Sequence, residues 1–330
     1  HVDKFEKAFS KFIGVKNCIA TNSGTDSLIL ALKALSLKKG DEVITVCNSF
    51  YATAGAIVVC GAKPVFVDCD ERYQIDINKI ERAITKKTKI ILPVHWGGAS
   101  PNMHKIMSIA KKHSLKVVED ACMGIGAKIK NKSPGSFGHV NAFSMHPLKS
   151  LNVMGDGGMV VTNNDKIASW LRRYRNHGMI DRDHIFDWGV NMRLQPFQAI
   201  VANIELKKVN KIISKRNRNA KILDQSLSKI KYIQIPERKK IYRETFALYM
   251  ARFKKRDKLK SYLIRNGIEV KIHYPIPLHL QRPSKKMGYR KGDFPIAEKQ
   301  ATEMLTLPVH QYLNREQINF MIKKIKNFYQ

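Results

Sequence analysis

The stretch FSMHPLKSLNVMGDGGMVV, residues 143–161, joins an apolar strand, a tight loop, a glycine turn and a second apolar strand. One lysine, Lys149, sits in that loop beside a serine and a histidine. Long lysines belong on solvated faces, so a lysine held between two buried segments needs a reason. A desolvated amine near other positive groups gives up its proton readily and can condense with an aldehyde. Taken alone, in a chain this basic, Lys149 reads as an exposed loop residue. Its neighbours along the chain change that reading.

Upstream, from Val15 to about Thr162, short β-branched runs alternate with amphipathic helical stretches. The runs NCIAT, EVITV, PVFVD, KIILPV, LKVVED, VNAFS and GMVVT are expected strands, with helices after Gly24, Tyr51, Asp76, Asn102 and Asn164. Such a rhythm predicts an α/β fold with a mostly parallel sheet, helices on both faces and ligands at the carboxyl ends of the strands. Downstream, Pro196 to about Ile230 reads as one long basic helix without turn signals. Beyond Pro236 come an expected strand, ETFALYMARF, a helix, RDKLKSYLIRNG, a proline-rich loop, HYPIPLHLQRP, and a closing helix after Asn314. The expected organisation is a large α/β domain over 1–195, a connecting helix over 196–235 and a smaller α+β domain over 236–330. The opening HVDKFEKAF has the pattern of mid-helix sequence, so a preceding segment is expected to be missing.

With 330 residues and 44% hydrophobic composition, the chain can bury a large core. No apolar run has bilayer length and no leader pattern is seen, which makes the cytoplasm the expected compartment and a membrane partner unexpected. Five cysteines without a CxxC pair support neither zinc nor a disulfide framework, and no metal is expected. The net charge of +32 suits an anionic partner. The basic residues are nevertheless spread along the whole chain, lysine dominates, and no nucleic-acid reading motif occurs. Nucleic acid is therefore not expected as a partner.

Three sites along the chain could carry chemistry. In TNSGTDSLILAL a strand ends, Ser-Gly-Thr turns and a helix begins; free N–H groups there suit a phosphate, although a plain capping motif would look the same. In VVEDAC two adjacent carboxylates alternate faces, so only one can enter a crevice, where Asp120 could keep a heterocyclic nitrogen protonated. The third is Lys149, five residues after Ser144. A phosphate turn, an acidic strand end and an amine, in that order, are what pyridoxal phosphate requires.

With these motifs, and with GDEVITV, GAKPVFVD, IERAITKKTKIILPVHWGG, RNHG, GVNMRL, HYPIPLH and LTLPVH, the chain resembles the sugar aminotransferases of the DegT/DnrJ/EryC1/StrS family. These are aspartate aminotransferase-like enzymes of pyridoxal phosphate fold type I, and the likeness spans nearly the whole chain. The resemblance implies Lys149 as the Schiff-base lysine and Asp120 as the partner of the pyridine nitrogen. It implies Gly24, Thr25, Asp26 and Ser144 at the phosphate and Phe50 stacked on the ring. It also implies a homodimer in which Asn191 and Arg193 of a neighbouring copy complete the site. The expected reaction moves an amino group, with L-glutamate as donor, to a keto group of a nucleotide-linked sugar. His95 and Trp96 are candidates for the sugar pocket, with His95 equally readable as a satisfied strand-end histidine, and His273, Tyr274 and His279 fall in the family's substrate-facing loop. One departure is Met123, where the family usually carries Gln or His near the cofactor's phenolic oxygen. A subgroup replaces the lysine with histidine and dehydrates the sugar; Lys149 in register disfavours that reading, and His146 is expected to pack or to support. A regulatory or nucleic-acid-binding homologue is the remaining alternative.

Overall fold

The computed structural model describes all 330 residues. Four parallel strands, β2 (Glu42–Val46), β3 (Lys63–Val67), β4 (Thr88–Leu92) and β5 (Lys116–Val117), lie in the order β3-β2-β4-β5. Three others, β1 (Asn17–Thr21), β6 (Asn141–Ser144) and β7 (Gly158–Thr162), lie in the order β1-β7-β6, antiparallel at each step. Asp120 welds the two groups. It makes parallel bridges to Val94 on one side and Ala142 on the other. Its N–H donates to Pro93 O at 2.9 Å, while Ala121 N–H donates to Ala142 O at 2.9 Å. The result is one sheet in which β7 alone runs against the rest, so the expectation of a mostly parallel sheet holds.

Both faces are covered by helices, among them α2 (Gly24–Lys33), α3 (Tyr51–Val59), α4 (Met103–Lys112) and α5 (Asp165–Tyr174). Along β1, β6 and β7 alternate side chains enter opposite cores: Ile19, Ala142 and Val160 join one cluster, and Cys18, Ala20, Phe143, Met159 and Val161 the other. This period of two explains why these strands read as unbroken apolar runs. Helix α1 (Val2–Ile13) covers the second face with Phe5, Phe9 and Ile13, four residues apart, and Phe9 meets Phe143 edge-on at 5.2 Å. It ends at Gly14, whose φ of 87° a side chain would resist.

The single long helix expected after Pro196 is two helices, α6 (Pro196–Leu206) and α7 (Val209–Leu227), broken at Lys207–Lys208. No glycine or proline marks the break. Ala199, Ala202 and Leu206 pack under the large sheet, as do Val209 and Ile213, so the change to a third core, entered by Ala220, Leu223 and Leu227, comes within α7 and not at the break. That core is built on an antiparallel sheet of β8 (Ile233–Gln234), β9 (Tyr249–Phe253) and β10 (Met304–Leu307), with α8 (Arg256–Arg265) and α9 (Arg315–Tyr329). No helix is long and apolar enough to cross a membrane.

The strand expected over 244–253 is regular only from Tyr249. Residues 244–248 leave the ladder to lie against the turn at Gly97–Gly98. Thr245 N–H donates to Gly98 O at 2.9 Å and Leu248 N–H to Gly97 O at 3.1 Å. Both glycines have positive φ, and a Cβ at Gly98 would stand 1.8 Å from Thr245 Oγ1. Gly98→Ala is therefore expected to lower stability by about 2 kcal/mol or more, read as a fall in the urea midpoint. An unchanged midpoint would mean that the 244–248 segment does not depend on this turn.

Candidate active site

A cavity lies at the carboxyl ends of the parallel strands. The turns after β1, β2, β4 and β5 and the loop after β6 supply its floor, and Ala247, Leu248, His273 and Tyr274 close it from the C-terminal side. Of the residues singled out from sequence, it gathers Gly24, Thr25, Phe50, Trp96, Asp120, Ser144, Lys149, His273 and Tyr274.

At the first turn Ser23 caps helix α2 (Gly24–Lys33), its Oγ accepting the Asp26 N–H at 3.0 Å. Helix geometry leaves the N–H groups of Gly24 and Thr25 without intrahelical acceptors. Both readings of this stretch are thus present: a cap at Ser23, and free donors facing the cavity. Gly24 is required by contact, since a Cβ there would sit 2.6 Å from Ser144 Cβ. Bringing the serine hydroxyl against the helix start creates a cradle for a phosphate. Asp26 itself does not line the cavity.

The acidic pair divides as alternation demands. Glu119 turns away from the cavity, fully buried, and accepts the N–H groups of Gly135, Phe137 and Gly138 at 2.7–2.8 Å. Asp120 turns into the cavity, 5% exposed. Its Oδ2 accepts the Thr53 hydroxyl at 2.8 Å and its Oδ1 the Cys122 N–H at 3.2 Å. No basic side chain pairs with it. A buried carboxylate held by two neutral donors is a site for a cation, and a protonated ring nitrogen fits that requirement. With the phosphate cradle, the Asp120 carboxylate and the half-buried Lys149 side chain all lining one cavity, the residues present fit pyridoxal phosphate.

Phe50 caps helix α3 (Tyr51–Val59) at the lip of the cavity, 45% exposed. Its ring lies 5.9 Å from that of Tyr274, which also meets Tyr51 at 5.6 Å and Trp96 at 5.5 Å. Burial, then Tyr51, pushes the Tyr274 hydroxyl up to about 12, so it is a neutral donor. Burial, with Lys271 and Lys149 adding to it, pushes His273 down to about 4, and its Nδ1 lies 2.9 Å from Thr306 Oγ1.

Other candidates stand elsewhere. His95 is fully buried and bonded on both nitrogens, Nδ1 to Ser100 Oγ at 3.0 Å and Nε2 to Glu119 at 2.8 Å. It is the satisfied strand-end histidine, not a wall of the pocket. His279 is likewise buried outside the cavity, with Nε2 on Glu298 at 3.0 Å. Asn191 and Arg193 are exposed and outside it; Arg193 donates to Asn191 Oδ1 at 3.0 Å and to Asn176 Oδ1 at 2.8 Å. Met123 does line the cavity, while its carbonyl accepts the Thr245 hydroxyl at 2.9 Å.

Sequence reasoning passed over Thr53, which orients Asp120. The signal was its place one turn after Phe50 on the same helix. It also passed over Cys122, whose thiol is pushed well up by burial and by Asp120. His146 lines the cavity, and its Nδ1 accepts the Leu148 N–H at 3.2 Å.

The chain matches the family described as the DegT/DnrJ/EryC1/StrS aminotransferase family over residues 1–326. It is 40% identical to the UDP-N-acetyl-3-dehydro-alpha-D-glucosamine 3-aminotransferase of Acidithiobacillus ferrooxidans, over 92% of this chain and 82% of that one. It is 37% identical to a pleiotropic regulatory protein of Geobacillus stearothermophilus, over 100% and 89%. Among solved structures, S. venezuelae DesV superposes with a TM-score of 0.97 at 33% identity, covering 100% of this chain and 89% of its own. Ntda from Bacillus subtilis, with bound cofactor PMP, gives 0.92 at 30%, covering 99% and 76%.

Gly24→Ala is expected to weaken pyridoxal phosphate binding by about tenfold or more, roughly 1.4 kcal/mol, in a spectroscopic titration; unchanged affinity would remove the cradle. Because the folded pKa of His273 lies below its unfolded value, its contribution to stability is complete above about pH 6.5 and is lost as pH falls toward about 4. Wild-type melting temperature should therefore rise more steeply across that window than that of His273→Asn. Parallel curves would contradict the burial of this ring.

Proposed function

The chain belongs to the DegT/DnrJ/EryC1/StrS aminotransferase family, and from that premise we propose that it moves an amino group from L-glutamate to a keto group of a nucleotide-linked sugar, in the making of surface-polysaccharide or glycoconjugate precursors. Pyridoxal phosphate is the cofactor. The observation that carries the reading is the joint presence of Lys149, Asp120 and the Gly24–Ser144 cradle in one cavity. The nucleotide-sugar substrate is supported by relatives named as UDP- and dTDP-sugar transaminases, at 33–40% identity.

When bound, the cofactor supplies an aldehyde that takes up amino groups and a pyridinium ring that accepts electrons. The N–H groups of Gly24 and Thr25 and the Ser144 hydroxyl hold its phosphate. Asp120, fixed by Thr53, keeps the ring nitrogen protonated. Lys149 Nζ is the amine that would hold the cofactor at rest and, once displaced by the donor, would serve as the base that removes the donor's α-proton and, in the second half of the reaction, as the acid that delivers a proton to the carbon receiving the amine. Phe50 would cover the ring, and Trp96, Tyr274 and the neutral His273 would shape the acceptor's side. Met123 offers no donor toward the phenolic oxygen, so the contacts at phosphate, nitrogen and amine carry the binding.

The enzyme is proposed to act as a homodimer. Support comes from Asn191 and Arg193, which are exposed and lie outside the cavity of their own chain, on a surface that a neighbouring copy could reach. The boundaries 1–195, 196–235 and 236–330 are kept as the proposed domain division. The cytoplasm is the proposed compartment, in keeping with five free cysteines. The name of the Geobacillus relative favours a second reading, a cofactor-bearing regulator without transaminase activity.

A visible absorbance spectrum with pyridoxal phosphate, before and after L-glutamate, separates them. The expected result is a band that wild type has and Lys149→Ala lacks, and that L-glutamate abolishes. A band indifferent to every amino donor would favour the regulator.

A further inference from the structure

A second cleft, about 850 Å³, opens beside the first and shares Leu148, Lys149, Ala247, Leu248 and His273 with it. Its far walls are helix α7, the segment that follows β10, and α9. Arg216 of α7 lines this cleft and is only 7% exposed.

Two other arginines are buried to the same degree, and each has a carboxylate. Arg252 pairs with Glu71 and Glu303, and Arg256 with Asp257. Arg216 has none. Its Nε donates to Gln311 Oε1 at 3.0 Å, its Nη1 reaches Phe246 O at 3.5 Å, and its Nη2 makes no bond. The remaining charges of the cleft do not neutralise it. Glu269 is paired with Lys271 at 2.8 Å and Glu205 with Lys208 at 2.7 Å, while Glu316 stands exposed at the start of α9. His310 is pushed down by burial and by Arg216, so it adds no charge at neutral pH. A guanidinium taken out of water without a counter-ion is costly, and its planar fork suits a carboxylate or phosphate.

We propose that Arg216 anchors an anion subsite in this cleft, one that takes an oxyanion of the substrate whose reacting end lies at Lys149. The inference rests on the aminotransferase reading for its direction. The oxyanion could belong to a nucleoside diphosphate or to the amino donor's carboxylate. The volume is that of a pocket for a ligand larger than an amino acid, and the rings of Phe246, Tyr312 and Phe320 along it suit a base or sugar, so the nucleoside diphosphate is the expected source.

The test is calorimetric binding of UDP, dTDP and L-glutamate, at fixed ionic strength, to the pyridoxal phosphate-loaded protein and to its Arg216→Met and Arg216→Lys variants. UDP or dTDP affinity should fall at least about tenfold in Arg216→Met and partly recover in Arg216→Lys. The same loss confined to L-glutamate would assign the oxyanion to the donor. Without ligand, Arg216→Met should melt no lower than wild type, because it removes an unpaired buried charge; a structural arginine would cost stability there. The proposal is overturned if none of the three ligands binds wild type, or if all bind the variants equally well. The Lys149-dependent band, recorded on each sample, keeps the two readings apart. A band that responds to L-glutamate alongside unchanged affinities defeats the subsite and leaves the transaminase standing.

Discussion

Asp120 is the residue on which both sheet and site depend. Its backbone bonds to the 93–95 segment on one side, and with Ala121 to Ala142 on the other, so that the parallel and antiparallel groups become one sheet. The same residue sends its carboxylate into the cavity. A strand end in the middle of a sheet has no freedom to drift, so the carboxylate is placed as firmly as the core beneath it. Preorganisation of this kind is what an electrostatic partner for a ring nitrogen requires.

The neighbouring Glu119 does the complementary work. Pointing to the other face, it collects three backbone N–H groups and His95, and so fixes the 135–138 loop and the turn after β4. That turn carries Trp96 into the cavity and presents Gly97 and Gly98 to the 244–248 segment. The absence of side chains on the two glycines lets a backbone from the C-terminal part approach closely enough to hydrogen-bond. The cavity wall at Ala247 and Leu248 thus follows from a buried carboxylate that does not itself line the cavity.

Polar satisfaction also sorts the histidines. His95 and His279 are buried and partnered by carboxylates, and neither reaches the cavity. His273 and His146 lie in its wall. Arg216 is the converse case, a buried charge whose partners are all neutral, and for that reason it directs attention to the second cleft.

The order of chemistry along the chain was legible in the sequence, because each element comes from a local pattern. A strand end followed by Ser-Gly-Thr makes a helix start with free donors, two adjacent carboxylates on a strand must alternate, and apolar runs covered on both faces mean a parallel sheet. Most strands of the large sheet came out near their expected limits for the same reason, although LKVVED is regular only over Lys116–Val117. What local pattern could not contain was decided by tertiary packing. The helix after Pro196 breaks where no breaker stands, and its second part runs from under the large sheet into a different core. Residues 244–248 leave their strand because a glycine turn 150 residues earlier in the chain offers better partners. His95 and His273 are both candidates for the substrate pocket from sequence; only the arrangement of distant carboxylates, hydroxyls and lysines makes one a structural post and the other a wall of the site.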